Sequence, residues 1–137
     1  MKTKKTTEPK PTPYNGNTWT EGRYRSFITS TIRGGFRRWP PKFSVLKKAI
    51  VGKKINPKSG RLATMYECAE CKGEFPSTSI QVDHKEPVVG TEGFISWDDF
   101  IYNLFCEEEN LQVLCKACHS VKTKQETSER KKVKDEV

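Results

Sequence analysis

The chain has 137 residues, of which 34% are hydrophobic and 31% are charged, so its length suits one compact domain with a small apolar core. No run approaches the ~18 apolar residues that span a bilayer, and the basic N-terminus lacks the apolar segment of a secretory signal. These features exclude a membrane protein, favour one domain over two full ones, and predict a protein that stays in the cytoplasm.

Charge is divided unevenly along the chain. Residues 1–67 hold 16 lysines and arginines against 3 acidic residues, whereas residues 68–137 hold 9 against 14. The N-terminal part therefore carries +13 and the C-terminal part −5. A positive field of this size attracts nucleic acid through sequence-independent phosphate contacts. A solvated, lysine-rich surface is the alternative interpretation.

The first predicted elements are a basic arm and two helices. Residues 1–17 are mostly polar, and we expect them to form a flexible arm. Thr18–Glu21 has the form of a capping box, after which apolar residues recur at helical spacing over residues 19–33. A second helix is predicted to begin at Pro40 and to end at Gly52.

Cations are concentrated on and between these two predicted helices. If the apolar faces of the helices turn inward, the charged side chains project outward, where they can contact nucleic-acid phosphates. The residues predicted to bind nucleic acid in this way are Arg23, Arg25, Arg33, Arg37, Arg38, Lys47 and Lys48.

The C-terminal half is predicted to alternate strands and helices. Residues 62–67 can run extended, and the alternation over residues 79–84 indicates a short strand. Ser96 opens a capping box and a helix with an apolar stripe. A second strand is predicted over residues 110–115, and a polar helix runs from Ala117 into a charged tail.

The cysteines indicate a metal site. Four of the five form two C-x-x-C pairs, Cys68 with Cys71 and Cys115 with Cys118, and a cytoplasmic chain has little use for disulfides. Four thiolates around one Zn²⁺ would contribute folding free energy to a domain with few apolar residues. A thiol redox pair, the alternative, does not explain two pairs. We expect the fifth, Cys106, to be a small buried hydrophobe on the apolar side of a helix.

The two histidines complete a pattern. His84 follows Asp83 at the end of a predicted strand, Asn110 begins the returning strand, and His119 follows Cys118 at the start of a helix. Over residues 66–125 this arrangement resembles the HNH endonuclease family. It closely fits the zinc-bearing, phage-type branch, which shares C-x-x-C, V-D-H and N-L-Q-x-L-C-x-x-C-H-x-x-K-T. The resemblance implies an α+β fold with a ββα-metal core stapled by the Cys₄ zinc site.

The residues themselves suit phosphodiester hydrolysis. His84 is the candidate general base, because an imidazole with an ordinary pKa near ~6.5 is neutral around pH 7–8. Asp83 and His119 offer one oxygen and one nitrogen to a catalytic divalent metal such as Mg²⁺ or Mn²⁺. The resemblance implies the same roles, and it gives Asn110 the task of fixing the loop that orients His84.

Two features depart from the plainest family pattern: a long segment before Asn110 and an acidic run within it. The segment between His84 and Asn110 is long and carries its own helix, which leaves the surroundings of Glu86 and Glu92 open. The run Glu107–Glu109 fits a solvated loop. Either cluster could supply a further metal ligand.

The resulting hypothesis is a metal-dependent DNA endonuclease that nicks one strand per active site. Its expected divisions are an arm over 1–17, a basic helical DNA-binding region over 18–61, a nuclease core over 62–126 and a charged tail over 127–137. The resemblance implies a bacteriophage or mobile-element origin, with a DNA-packaging terminase among the candidate partners. A non-catalytic zinc-ribbon module for DNA binding or protein docking is the alternative, and a nuclease for structured RNA is a third.

Overall fold

A computed structural model describes residues 8–135, which form a mixed α+β protein, as the sequence predicts. Contacts divide the chain into two compact units, with the boundary between Gly35 and Phe36. Among the described residues, no helix combines the length and the apolar character needed to cross a membrane.

The first unit consists of helix α1 (Glu21–Gly35) and the segment before it. The predicted helix is confirmed, but its cap differs. The Thr20 hydroxyl accepts a hydrogen bond from the backbone N–H of Arg23 at 3.2 Å, whereas the Thr18 hydroxyl donates to the backbone oxygen of Asn15 at 2.6 Å. Thr20 therefore caps α1, and Thr18 belongs to a preceding turn.

That turn orders part of the predicted arm. Tyr14 and Trp19 form an antiparallel bridge, and the Tyr14 ring stacks on Tyr24 of α1 with 4.0 Å between ring centroids. Secondary structure therefore begins at Tyr14 rather than after residue 17. Residues 1–7 of the predicted arm lie outside the described residues.

The part of the second unit that the structure describes contains three further α-helices and five strands. They are α2 (Pro40–Lys48), β1 (Ile50–Ile55), β2 (Leu62–Glu67), β3 (Glu74–Pro76), β4 (Ile80–His84), α3 (Trp97–Leu104), β5 (Leu111–Cys115) and α4 (Lys116–Asp135), with a short 3₁₀ helix over Phe36–Arg38.

The second predicted helix is too long. Helix α2 ends at Lys48, and Ile50 already pairs with Tyr66 of β2 in a strand. The residues Ile50, Val51 and Ile55 are β-branched, which favours an extended backbone once a partner strand is present. The expected end at Gly52 is therefore wrong, because β1 replaces the last turn.

The strands form two antiparallel sheets. One has the order β1-β2-β3, and the other pairs β4 with β5 so that Ile80 lies opposite Cys115 and His84 lies opposite Leu111. Helix α4 follows β5 directly, which produces the ββα order. The connection from β4 to β5 contains α3, whose N-terminus is capped by Ser96 as predicted, with the Asp99 N–H donating at 3.1 Å.

Most buried residues of the core come from α3, from β4 and β5, and from the first cysteine turn. The apolar members of the core include Phe100 and Leu104 of α3, which are 1% and 2% exposed. Cys68, Leu114 and Cys115 form a buried cluster against which Phe75 and Cys118 pack. Cys106 is only partly buried and follows the end of α3, so the predicted helical core position is wrong.

Candidate functional site

The four predicted zinc ligands meet in space. The sulfur atoms of Cys68, Cys71, Cys115 and Cys118 all lie within 4.8 Å of one another, and those of Cys71 and Cys115 are 3.9 Å apart. A tetrahedron with metal–sulfur bonds of about 2.3 Å requires sulfur separations of about 3.8 Å. The cluster therefore has the donor set and spacing to hold zinc.

The first cysteine turn has a backbone shaped for this purpose. The Cys68 N–H donates to the Gly73 oxygen at 2.9 Å, and the Lys72 N–H donates to the Cys68 oxygen at 3.0 Å. Lys72 adopts a left-handed φ of 62°, and a Cβ on Gly73 would lie 2.8 Å from the Phe75 ring. Glycine at position 73 therefore allows Phe75 to cover the cysteines.

Hydrogen bonding gives these thiols different pKa values. Burial raises the pKa of Cys68, but backbone N–H groups, first that of Cys115, outweigh it and lower the pKa to about 6. Hydrogen bonding to Cys115 and burial raise the pKa of Cys118 to about 12. The Gly73 N–H lowers the pKa of Cys71, but hydrogen bonding to Cys68 and burial raise it overall.

Zinc affinity is therefore expected to depend steeply on pH. Above about pH 6 Cys68 is already a thiolate, whereas Cys71 and Cys118 have raised pKa values and must release protons on binding. With at least these two thiols releasing protons, affinity should rise by at least about two powers of ten per pH unit between about pH 6.5 and 8. Chelator competition over that pH range measures this slope. A pH-independent affinity would contradict it.

Asp83 is a buried carboxylate at the end of β4. It is 8% exposed and lies directly opposite Gln112 of β5, whose amide donates to Asp83 Oδ2 at 3.0 Å. His119 Nε2, in the first turns of α4, lies 3.7 Å from Asp83 Oδ1. The fold thus brings the two predicted ligands of the catalytic metal together.

Lys122 also belongs to this site, and sequence reasoning did not single it out. Its ammonium group lies 3.1 Å from Asp83 Oδ2, donates to the His84 backbone oxygen at 2.9 Å and pairs with Glu126. Burial lowers its pKa, but the hydrogen bonds to Glu126 and Asp83 raise it overall, so the group is charged at neutral pH. Its position three residues after His119 was the available signal, because residues i and i+3 share a helix face.

We expect Lys122→Met to destabilise the protein by about 1–3 kcal/mol, because Asp83 would lose its cationic partner in a buried position. Lys124→Met, on the exposed side of the same helix, is the matched control. Denaturant unfolding with and without added Mg²⁺ or Mn²⁺ measures the free energy of unfolding of both variants. A divalent ion should recover part of the stability that the Lys122 variant loses. Equal stabilities for the two variants would contradict this role.

His84 is held by contacts on several sides. Its Nε2 lies 2.8 Å from the backbone oxygen of Leu104, at the end of α3, and its ring lies 4.7 Å from that of Phe36. A carbonyl oxygen only accepts, so Nε2 carries the proton and Nδ1 keeps a lone pair in the neutral ring. The inserted helix between β4 and β5 thus orients the ring.

Asn110 contacts the chain immediately after His84. Its side-chain oxygen accepts from the Glu86 N–H at 3.0 Å, and its backbone oxygen accepts from the Lys85 N–H at 2.8 Å. These two hydrogen bonds connect the loop after β4 to the residue that precedes β5.

The acidic clusters do not join the Asp83 site. Within residues 8–135, the four cysteines are the one group of three or more donors close enough to hold a metal ion. Glu86 and Glu92 are exposed, and Glu108 pairs with Lys48 of α2.

The predicted DNA-binding cations occupy different surroundings. In the first unit, Arg23 lies over the Trp19 ring at 4.7 Å and Arg25 pairs with Glu21 at 3.1 Å; Arg33 lies on the same helix and is exposed. In the second unit, Arg37, Arg38 and Lys47 are exposed, while the hydrogen bond with Glu108 raises the pKa of Lys48.

Aromatic anchors hold the segment that carries Arg37 and Arg38. Phe36 contacts His84, and Trp39 Nε1 donates to the Cys106 backbone oxygen at 2.6 Å. The two arginines therefore lie on a short segment fastened beside His84.

A comparison with protein families agrees with the motif pattern. The HNH endonuclease family model matches residues 68–125, which confirms the resemblance over that segment. It covers the cysteine cluster, Asp83, His84, Asn110 and His119. No curated protein and no solved structure matches the chain.

Proposed function

We propose that this protein is a metal-dependent endonuclease that hydrolyses DNA phosphodiester bonds, with His84 as the general base. The observation that carries the proposal is the meeting of Asp83 and His119 at 3.7 Å beside a histidine whose Nε2 is committed to a carbonyl oxygen. That histidine can take a proton from water at Nδ1. The family match over residues 68–125 supports it.

Asp83 and His119 would hold the catalytic metal ion. One carboxylate oxygen and one imidazole nitrogen suit Mg²⁺, Mn²⁺ or another divalent ion and leave room for other ligands. Such an ion would supply electrostatic stabilisation of the charge that develops on the phosphate and the leaving oxygen. Gln112 and Lys122 hold the Asp83 carboxylate in place.

In this proposal Asn110 is a positioning residue. Its side chain holds the backbone after His84, and Leu104 orients the ring from the other direction. The Asn110 contact fixes the backbone after His84, and the Leu104 contact restricts the rotation of the imidazole, which a general base requires.

The proposal assigns DNA binding to residues 18–61 and cutting to residues 62–126. One active site per chain cuts one strand, so the expected product is a nick. The motif similarity to the phage-type branch supports a bacteriophage or mobile-element role in a host cytoplasm, with a packaging terminase as a candidate partner.

Supercoiled plasmid tests this function. Zinc-loaded protein is dialysed free of other metals and given Mg²⁺, Mn²⁺ or no addition, which avoids a chelator that would also strip the cysteine site. Nicked circles that form only with the added metal support the proposal. Matched DNA and RNA duplexes then identify the preferred substrate. If no divalent metal supports cleavage of any of these substrates, the proposed nuclease function is wrong.

One observation favours a second candidate, a non-catalytic zinc-ribbon module that binds DNA or docks on a protein. Asp83 already has a cationic partner in Lys122 and an amide partner in Gln112, as a structural ion pair would. Metal-dependent nicking by the wild-type protein and its loss in His84→Ala would exclude this candidate.

The segment beside His84 provides a test of DNA contact. Arg37→Ala combined with Arg38→Ala should lower DNA affinity and flatten the plot of log affinity against log salt by about one unit per lost phosphate contact. The cleavage rate of saturated DNA should stay within about threefold, because these side chains act on binding. Salt titrations measure the slope. An unchanged slope would show that the two arginines make no phosphate contact.

A further inference from the structure

The hairpin formed by β1, β2 and the turn between them is largely exposed. All six residues of β1 are exposed, and β1 is an edge strand of its sheet. The turn is well formed, since the Asn56 N–H donates to the Arg61 oxygen and the Gly60 N–H to the Asn56 oxygen, each at 2.8 Å. Gly60 has a φ of +70°, which suits glycine. Strand β3 pairs with Met65, Tyr66 and Glu67 of β2, so the hairpin over residues 53–64 is a defined two-stranded ribbon that extends beyond β3.

This ribbon carries cations and no acidic residue. Residues 50–66 contain Lys53, Lys54, Lys58 and Arg61 but neither aspartate nor glutamate. Lys54 pairs with Glu74 of β3. For the other three, no acidic partner lies within 4.0 Å in the part of the chain that the structure describes.

One face of the ribbon combines charge with exposed apolar groups. Ile55 and Leu62 lie opposite each other and are 67% and 66% exposed. Lys53 lies two residues from Ile55 and therefore on the same face. Met65, on the opposite face, is 4% exposed, so that face turns toward the core.

Duplex DNA fits this combination. The major groove is about 12 Å wide and admits a two-stranded ribbon, and thymine methyl groups there offer apolar contacts. Exposed cations without acidic neighbours suit the phosphates on either side of the groove. We propose that this ribbon is a second DNA-binding element that enters a groove of duplex DNA, with its cations on phosphates and its apolar pair against the bases. The inference rests on the proposed nuclease function. Most of the ribbon lies within the segment 18–61 that the proposal assigns to DNA binding, and the inference adds to that segment a strand pair and contacts by residues other than the seven predicted cations.

Charge removal tests the cationic part. The variant combines Lys53→Gln, Lys58→Gln and Arg61→Gln, and the control combines Lys124→Gln, Lys131→Gln and Lys132→Gln, which remove the same charge from exposed positions of α4. Both are made in a His84→Ala background so that DNA stays intact. We expect the ribbon variant to lose about 10–100-fold in duplex affinity near physiological salt and two to three units of salt slope, and the control to lose much less. Equal losses would show a general charge effect and overturn the inference.

Ile55→Ser combined with Leu62→Ser tests the apolar part. This pair should weaken duplex binding while leaving the salt slope unchanged, because it removes no charge. If it instead abolishes a dimer and leaves DNA affinity intact, the ribbon is a contact between copies and the inference is wrong. A His84→Ala parent that binds no duplex DNA would overturn the proposed function together with the inference. A parent that binds, with an equally binding ribbon variant, would overturn the inference alone.

Discussion

His84→Ala is expected to lower the rate of DNA cleavage by about 10²–10⁴-fold while duplex affinity stays nearly unchanged. A general base acts in the transition state, so its loss slows the chemical step rather than binding. Single-turnover cleavage at saturating protein measures the rate of the chemical step directly. The affinity for duplex DNA is measured in parallel as a function of salt concentration.

Two controls separate catalysis from support of the fold. The ring of His84 contacts Phe36 and the Leu104 oxygen, so the melting temperature of the variant must be compared with that of the wild type. Added imidazole should recover part of the rate in His84→Ala, which a purely structural histidine would not show. Wild-type rates in the variant would disprove the assignment.

Replacing a thiol of the cysteine cluster should have a different effect from replacing His119. Cys68→Ser or Cys115→Ser should unfold the second unit or sharply lower its melting temperature, because metal binding supplies folding free energy and both residues are buried. His119→Ala should leave the protein folded and inactive, since the His119 imidazole lies 3.7 Å from Asp83 and outside the four-thiol cluster.

Cys106→Ser is the matched control for the thiol variants, because Cys106 is partly buried and lies outside the four-thiol cluster. It should retain zinc and melt near the wild-type temperature. Metal content and thermal unfolding are measured on all four proteins. Loss of zinc from His119→Ala, or retention of zinc by Cys68→Ser, would contradict the division into two metal sites.

Local sequence signals predicted much of the framework. The C-x-x-C pairs required four thiols to meet, and they do so within 4.8 Å. Alternation and capping predicted β4 and the start of α3, because these signals depend on side chains a few residues apart. These local signals failed at the end of helix α2, where β1 begins although a helix was expected. β-Branched residues adopt a strand when a partner strand is available, and the local sequence does not show that β2 will pair there.

The arrangement around the histidine depends on tertiary contacts. By itself the sequence determined that Asp83, His84, Asn110 and His119 belong to one pattern, and that the basic and acidic parts of the chain are separate. Only the folded chain determined that Lys122 supplies the cation beside Asp83 and that Leu104 supplies the carbonyl that orients His84. The physical reason is that a backbone carbonyl is present in every residue, so no residue type marks the one that α3 will bring to the imidazole.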